Sequence, residues 1–237
     1  LHKVPFRDDH EDIDALLDKA REVEAKLVYL SNPDNPMGSW HSGEVIEKAL
    51  DRIPDGTLLV LDEAYIEFAP DGTAPRIDPE DPRVVRMRTF SKGYGLAGAR
   101  VGYAVGAQPL IRAYDKVRNH FGMNRAAQIG ALAALQDDTW IEEVVGLVGA
   151  AKERIGTIAK ASGVTALPSA ANFVAVDLGR DGDYARAVLK ALIAEGVFVR
   201  MPFVAPQDRC IRISAGTPAD LDVLAEVLPV ALETAQR

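Results

Sequence analysis

Apolar residues follow two alternating rhythms through the first half of the chain. Ile13, Leu16, Leu17, Ala20 and Val23 recur three and four apart, the spacing of one helix face, and so do Val45, Ile46, Ala49, Leu50 and Ile53. Ser42 stands just ahead of the second set, where an N-cap belongs. Short strand-like segments, mostly apolar, accompany these faces at 27–30, 58–61, 84–87 and 101–105. The four apolar residues in a row at 58–61 fit a strand covered on both faces, as in a parallel sheet. Helix and strand therefore alternate, which predicts an α/β architecture. Positions 126–135 and 139–161 read as two further helices, the second long and ending near Gly163.

The last part of the chain changes rhythm. Strands are predicted at 173–178, 197–201 and 211–214, with helices over 184–195 and 218–232 packed against them. Thr217 followed by Pro218 is a helix start, an N-cap and then a proline that needs no hydrogen bond at the first position. Pro229 is expected to kink that helix or end it early. The opening stretch, Leu1 to Phe6, reads as lying in or beside a strand. No internal repeat or low-complexity tract occurs.

Composition narrows the classes. A chain of 237 residues has room for a large and a smaller domain. A net charge of −8 and a pI near 5.1, with no basic run, argue against nucleic-acid binding. The single cysteine, Cys210, excludes an internal disulfide and suits a reducing compartment; its apolar setting makes it a core residue rather than a nucleophile. His2, His10, His41 and His120 have no metal-ligand spacing, so no metal is expected. No apolar run reaches membrane-span length, and no signal-peptide pattern opens the chain.

The chemistry concentrates where strands hand over to loops. After the run at 84–87 comes Arg88-Thr89-Phe90-Ser91-Lys92-Gly93-Tyr94-Gly95-Leu96-Ala97, with Arg100 eight residues past the lysine. A lysine held there by backbone is placed as a Schiff-base amine must be. The hydroxyls of Thr89 and Ser91 and the fork of Arg100 form a set that holds a phosphate. An amine for an aldehyde beside a dianion site describes pyridoxal phosphate; the plain alternative is a solvated loop lysine. The run 58–61 ends in Asp62-Glu63-Ala64-Tyr65, at the strand end where open α/β sheets bind ligands. Asp62 there can keep a pyridine nitrogen protonated, and Tyr65 can donate to the ring's phenolic oxygen. An aspartate on nucleotide-bound magnesium is the competing reading, and it lacks its partner: no Gly-x-x-x-x-Gly-Lys-Ser/Thr occurs. A third strand runs into Ser31-Asn32-Pro33-Asp34-Asn35-Pro36-Met37-Gly38, a rigid turn in which Asn35 could offer a second donor to the same oxygen.

Together these segments resemble the fold-type-I pyridoxal-phosphate aminotransferases, and within them the histidinol-phosphate aminotransferase family. Asn35-Pro36-Met37-Gly38 is similar to that family's Asn-Pro-Thr-Gly, with Met37 in place of Thr. Asp62-Glu63-Ala64-Tyr65, Thr89-Phe90-Ser91-Lys92, Gly95-Leu96-Ala97-Gly98 and Arg100-Val101-Gly102-Tyr103 match its remaining segments, at separations of 27, 30 and 8 residues between Asn35, Asp62, Lys92 and Arg100. The resemblance implies a large domain with a mainly parallel sheet over 1–137 and a smaller C-terminal α+β domain over 138–237. It implies that Lys92 bonds the cofactor aldehyde and that Asp62 pairs with the pyridine nitrogen. Tyr65 and Asn35 would contact the ring hydroxyl, and Ser91 and Arg100, with Thr89, the phosphate. A cytoplasmic homodimer acting on small molecules in amino-acid biosynthesis is the implied setting. Family members are about half as long again, and the part not matched would precede Leu1. It would carry a phosphate-capping turn, a ring stacked on the pyridine and an arm to the partner subunit.

The C-terminal strands carry Arg200 and Arg212, each alternating with apolar residues. A half-buried arginine demands an anion, either an internal carboxylate or a substrate group. The resemblance implies the substrate: Arg212 on its anionic group, with Arg200 sharing a phosphate. Asn172, before Phe173, aligns with a family Asn-Phe and is assigned a structural role. Histidinol phosphate is the leading donor. The alternatives are aromatic amino acids, a phosphothreonine decarboxylase-like reaction, and a truncated non-catalytic relative, against which the retention of Lys92, Asp62, Tyr65, Asn35 and Arg100 together argues.

Overall fold

The computed structural model describes residues 1–236 and divides them into two compact units, 1–34 with 40–144 and 35–39 with 145–236. In the first unit, strands β1 (Leu27–Ser31), β2 (Leu58–Asp62), β3 (Val84–Thr89) and β4 (Gly102–Gly106) lie in one sheet in that order. The first three are parallel and β4 returns antiparallel to β3. Helices α1 (Ile13–Glu22) and α2 (Gly43–Leu50) cover one face. Ile13, Leu17, Ala20, Ile46, Ala49 and Leu50 close there on Val28, Leu30, Leu59 and Leu61. Asp12 caps α1 by accepting from the Ala15 amide.

Ser42 occupies the N-cap position of α2, but its side chain makes no capping bond; the Gly43 amide donates instead to the Gly72 carbonyl at 2.7 Å. The stretch Leu1 to Phe6 is irregular rather than strand, and pairing begins only with a bridge between Arg7 and His10. Pro5, without an amide hydrogen, cannot donate to a ladder there. Helices α3 (Gln108–Tyr114) and α4 (Arg125–Leu135) follow the sheet. The sequence did not announce α3, because none of its residues is buried and no apolar stripe marks it. The long helix α5 (Asp138–Ala161) runs from the first unit into the second.

The second unit holds an antiparallel sheet of β5 (Thr165–Ala166), β6 (Phe173–Asp177) and β7 (Cys210–Ser214), with helices α6 (Gly182–Ala194) and α7 (Pro218–Thr234). Its core joins Ile155, Ile158, Val174, Val176, Val188, Leu192, Ile211, Leu224 and Leu228. Cys210 is buried. The strand expected at 197–201 reduces to a single bridge in which Arg200 pairs with Arg212. Val199 and Met201 are still buried, but Pro202 removes the next donor and stops the ladder. Thr217 caps α7 ahead of Pro218 as expected, and Asp220 completes a capping box with it. Pro229 does not end the helix, which continues to Thr234. Its ring lies on the exposed side while Leu228, Ala231 and Leu232 stay buried, so packing outweighs the one lost bond.

Candidate active site

The C-terminal ends of the three parallel strands bring the first unit's candidate residues to one edge of the sheet. Asp62 is the last residue of β2, in register with Ser31 on β1 and Met87 on β3. Its carboxylate is oriented from two sides: Oδ1 accepts from the Ala64 amide at 3.0 Å and Oδ2 from the Tyr29 hydroxyl at 2.6 Å. Tyr65, buried, leads a short 3-10 turn, and the Lys92 Nζ lies 5.0 Å from the centre of its ring. No carboxylate pairs with Lys92 among the described residues.

Strand β3 ends at Thr89, whose hydroxyl accepts from the Ser91 amide at 3.1 Å and so shapes the turn into Lys92. Phe90 is driven into a small core with Val101, Ala127 and Ala131, which pins the lysine segment from beneath. Space after the lysine is tight: a Cβ on Gly93 would stand 2.6 Å from the terminal methyl of Ile141, which would have to move aside. Arg100 is exposed and left-handed (φ 55°, ψ 46°), and its guanidinium donates to the Ala97 carbonyl at 2.8 Å.

Beside this edge lies an ion cluster that the motif reading missed. Glu63 is fully buried and accepts from Arg86 (2.6 and 3.0 Å) and from Arg88 at 2.9 Å. The signal was there: Arg86 and Arg88 alternate on one strand, so both project to the same face and call for a shared anion. Glu11 was missed as well. It accepts from the Ser31 amide at 3.2 and 3.3 Å. Burial, then the charges of Asp34 and Asp62, pushes its carboxyl up to about 8 against the opposing Ser31 hydrogen bond. The His41 Nε2–H donates to the Glu11 backbone carbonyl at 2.8 Å, and burial lowers its titration below the ordinary imidazole value.

In the second unit, Asn35 and Arg212 meet: the guanidinium donates to the amide oxygen of Asn35 and stacks 4.7 Å above the Phe173 ring. Arg200 stands directly across from Arg212, their backbones exchanging bonds of 3.1 and 2.6 Å. Directly paired antiparallel residues project to the same face, so the two side chains share one side of the sheet. The Asn35–Ser39 loop is tied in through Gly38, whose carbonyl accepts from the Ala170 amide at 2.8 Å. Gly38 has φ +77°, and a Cβ there would meet the Ser169 hydroxyl at 2.3 Å, so only glycine fits. The backbone carbonyl of Asn172 accepts from the Ala215 amide at 2.9 Å, just past the end of β7.

The family model described as aminotransferase class I and II matches residues 2–228. The histidinol-phosphate aminotransferase of Bacillus velezensis is 37% identical over 236 residues, covering 96% of this chain and 64% of that protein. Histidinol-phosphate aminotransferase 1 of Mesorhizobium japonicum is 38% identical over 214 residues, covering 88% of this chain and 57% of the relative. Among solved structures, histidinol-phosphate aminotransferase from Sinorhizobium meliloti, in complex with pyridoxal-5'-phosphate, superposes with a TM-score of 0.95 at 49% identity. That match covers 98% of this chain and 64% of the other. The chain thus spans under two thirds of the length of these relatives.

Proposed function

The chain belongs to the class I and II aminotransferase family, and on that premise we propose that it binds pyridoxal phosphate and moves an amino group from a phosphorylated amine, histidinol phosphate first, to a 2-oxo acid. The observation that carries this reading is the grouping of Lys92, Tyr65 and Asp62 at neighbouring strand ends, with the lysine amine over the Tyr65 ring. The donor set fits the cofactor. It offers an amine without an ion pair for the aldehyde and a fixed carboxylate with lone pairs to spare for a ring N–H. Hydroxyls of Thr89 and Ser91 and the guanidinium of Arg100 suit the phosphate. Bound there, pyridoxal phosphate supplies an aldehyde for amine exchange and a protonated ring that accepts electrons from the donor's α carbon. Lys92 Nζ would hold that aldehyde and would take the proton from that carbon. Asp62 would accept the ring N–H, and Tyr65 and Asn35 would donate to the ring hydroxyl.

Arg200 and Arg212 favour a phosphorylated donor. Two like charges paired directly across a sheet repel unless an anion lies between them, and a phosphate dianion has oxygens for both. The names of the relatives support the same substrate. A second reading is an aromatic amino acid held by its carboxylate, which Arg212 could bind alone. We further place the protein in the cytoplasm as a homodimer. Among the described residues no helix is long and apolar enough to cross a membrane.

The test is the absorbance spectrum of protein expressed from its complete reading frame and mixed with pyridoxal phosphate. A visible band that borohydride abolishes, and that Lys92→Ala never forms, is expected. A protein that stays colourless with cofactor in excess removes the proposal.

A further inference from the structure

Two donors hold the Asp62 carboxylate, and only one of them is part of the loop that follows it. Leu27, Tyr29 and Ser31 of β1 are in register with Leu58, Val60 and Asp62 of β2. These residues share the sheet face opposite the core built by Val28, Leu30, Leu59 and Leu61. Tyr29 is thus the diagonal neighbour of Asp62, one pleat back, a separation that a tyrosine side chain spans. Its hydroxyl donates to Oδ2 at 2.6 Å, the length of a charge-assisted O–H···O⁻ bond. The Ala64 amide takes Oδ1. One bond alone would leave the carboxylate free to pivot about it; two bonds, one to each oxygen, fix its plane.

We propose that Tyr29 is a positioning residue for the reaction: its phenol fixes the Asp62 carboxylate so that a free lone pair points steadily at the pyridine nitrogen of the cofactor. This rests on the reading of Asp62 as the partner of that nitrogen. The bond also has the right polarity. A carboxylate that must accept a ring N–H keeps its charge beside a neutral donor such as a phenol, whereas a second cation would compete with the ring for it. The phenol keeps its proton, because desolvation, the Asp62 hydrogen bond and charge, and the charge of Glu11 together push its ionisation well above the ordinary tyrosine value, against a smaller opposing bond with Ser31. Glu11 is the other acid facing this pair, and it bonds the amide of Ser31, the register partner of Asp62 on β1. Asp34, buried nearby, adds its charge to Glu11.

The experiment uses protein from the complete reading frame as wild type, Tyr29→Phe and Asp62→Asn. Tyr29 is 54% exposed, so losing one hydroxyl leaves the fold in place. With pyridoxal phosphate bound, Tyr29→Phe is expected to keep a visible band but shift its pH midpoint by half a unit or more. It should also lower kcat roughly tenfold while the donor KM stays near wild type. In the cofactor-free protein, phenolate absorbance near 295 nm gives an independent reading. The tyrosine that titrates anomalously high in wild type should be missing in Tyr29→Phe and return toward the ordinary range in Asp62→Asn. If wild type is coloured and Tyr29→Phe reproduces its midpoint and kcat, this proposal alone falls. It falls equally if Asp62→Asn leaves the tyrosine titration unchanged. A wild type that never binds the cofactor removes the reading of Asp62 and this proposal together.

Discussion

Asn35 and Arg212 lie 177 positions apart in sequence, yet the amide oxygen of one accepts a hydrogen bond from the guanidinium of the other. Phe173 supports the same guanidinium from below at 4.7 Å. A planar cation held by a ring on its face and an amide at its edge has its orientation set before any anion arrives, so less freedom is lost on binding. The Asn-Pro-Met-Gly turn thereby supports the arginine of β7 within the second unit, besides whatever its asparagine offers a cofactor.

The two roles of Asn35 separate on mutation. Asn35→Ala removes a bond to a charged group, and we expect the KM for the anionic donor to rise roughly tenfold. Cofactor affinity, measured by fluorescence titration, should change less. An equal or larger loss of cofactor affinity, with donor KM unchanged, would make the ring contact the dominant one.

Glu63 predicts a large stability effect with a distinctive double mutant. It is fully buried and neutralises both Arg86 and Arg88. Glu63→Gln leaves those cations without their counter-charge, and breaking a buried pair in this way costs about 3–5 kcal/mol. Urea denaturation should show this as a lower midpoint with an unchanged slope. Combining it with Arg86→Met should recover part of the loss, because the stranded cation is then removed too. Additive losses would mean that the ions are not coupled.

Glu11 makes stability depend on pH in a defined direction. The unfolded chain releases its proton near 4.5, while in the folded state burial and the charges of Asp34 and Asp62 raise the carboxyl to about 8. Between those values the folded state binds the extra proton, so stability falls as pH rises, by at most about 1.4 kcal/mol per pH unit, and levels off above about 8. His41, lowered by burial, acts on the other side, losing stability as pH falls below the ordinary imidazole range. Denaturation from pH 6.5 to 9 isolates the carboxyl. Glu11→Gln, which mimics the protonated form, should flatten the slope and be the more stable protein at pH 9. An identical slope in both would remove Glu11 as its source.

The first unit was legible because its signals are local. Apolar runs at Leu27, Leu58 and Val84 mark parallel strands, although β1 leaves Leu27 and Tyr29 exposed on one face, and each runs directly into a loop of candidate residues, so the strands and the site edge follow from one pattern. The contacts across strands were not legible. Tyr29 reads as one apolar residue among four; that its hydroxyl reaches Asp62 depends on the register of β1 and β2, which no local pattern states. Glu11 sits in an acidic, loop-like stretch, and only the fold buries it against Ser31. Arg200 was expected on a full strand, yet Pro202 leaves it one bridge, enough to set it opposite Arg212. Pro229 misled for the opposite reason: a proline on the solvent side of an otherwise well-packed helix costs one bond and no contacts.

Arg100 carries the phosphate prediction. Its left-handed backbone and its bond to the Ala97 carbonyl hold the side chain over its own turn, close in sequence to Ser91 and Lys92. Removing a charge-assisted bond to phosphate costs about 1.5–3 kcal/mol, so Arg100→Ala should weaken cofactor affinity by roughly ten- to a hundredfold. Ser91→Ala should do so less. With cofactor saturating, kcat should stay near wild type in both. Unchanged affinity in Arg100→Ala would move the phosphate site elsewhere.

The arginine pair decides the substrate. Arg200 and Arg212 are opposite each other on one face, Arg212 fixed by Asn35 and Phe173 and Arg200 exposed. A phosphate dianion has charge and oxygens enough for both, so with histidinol phosphate as donor, Arg200→Ala and Arg212→Ala should each raise KM about tenfold or more. A carboxylate donor such as phenylalanine needs one fork, and Arg212 already has its orientation set. In that case Arg212→Ala should be severely impaired and Arg200→Ala close to wild type. Steady-state kinetics of both variants with both donors distinguishes the patterns, and we expect the first. An unmodified protein that turns over phenylalanine but not histidinol phosphate, with damage confined to Arg212→Ala, would replace the phosphorylated amine by an aromatic amino acid as the donor.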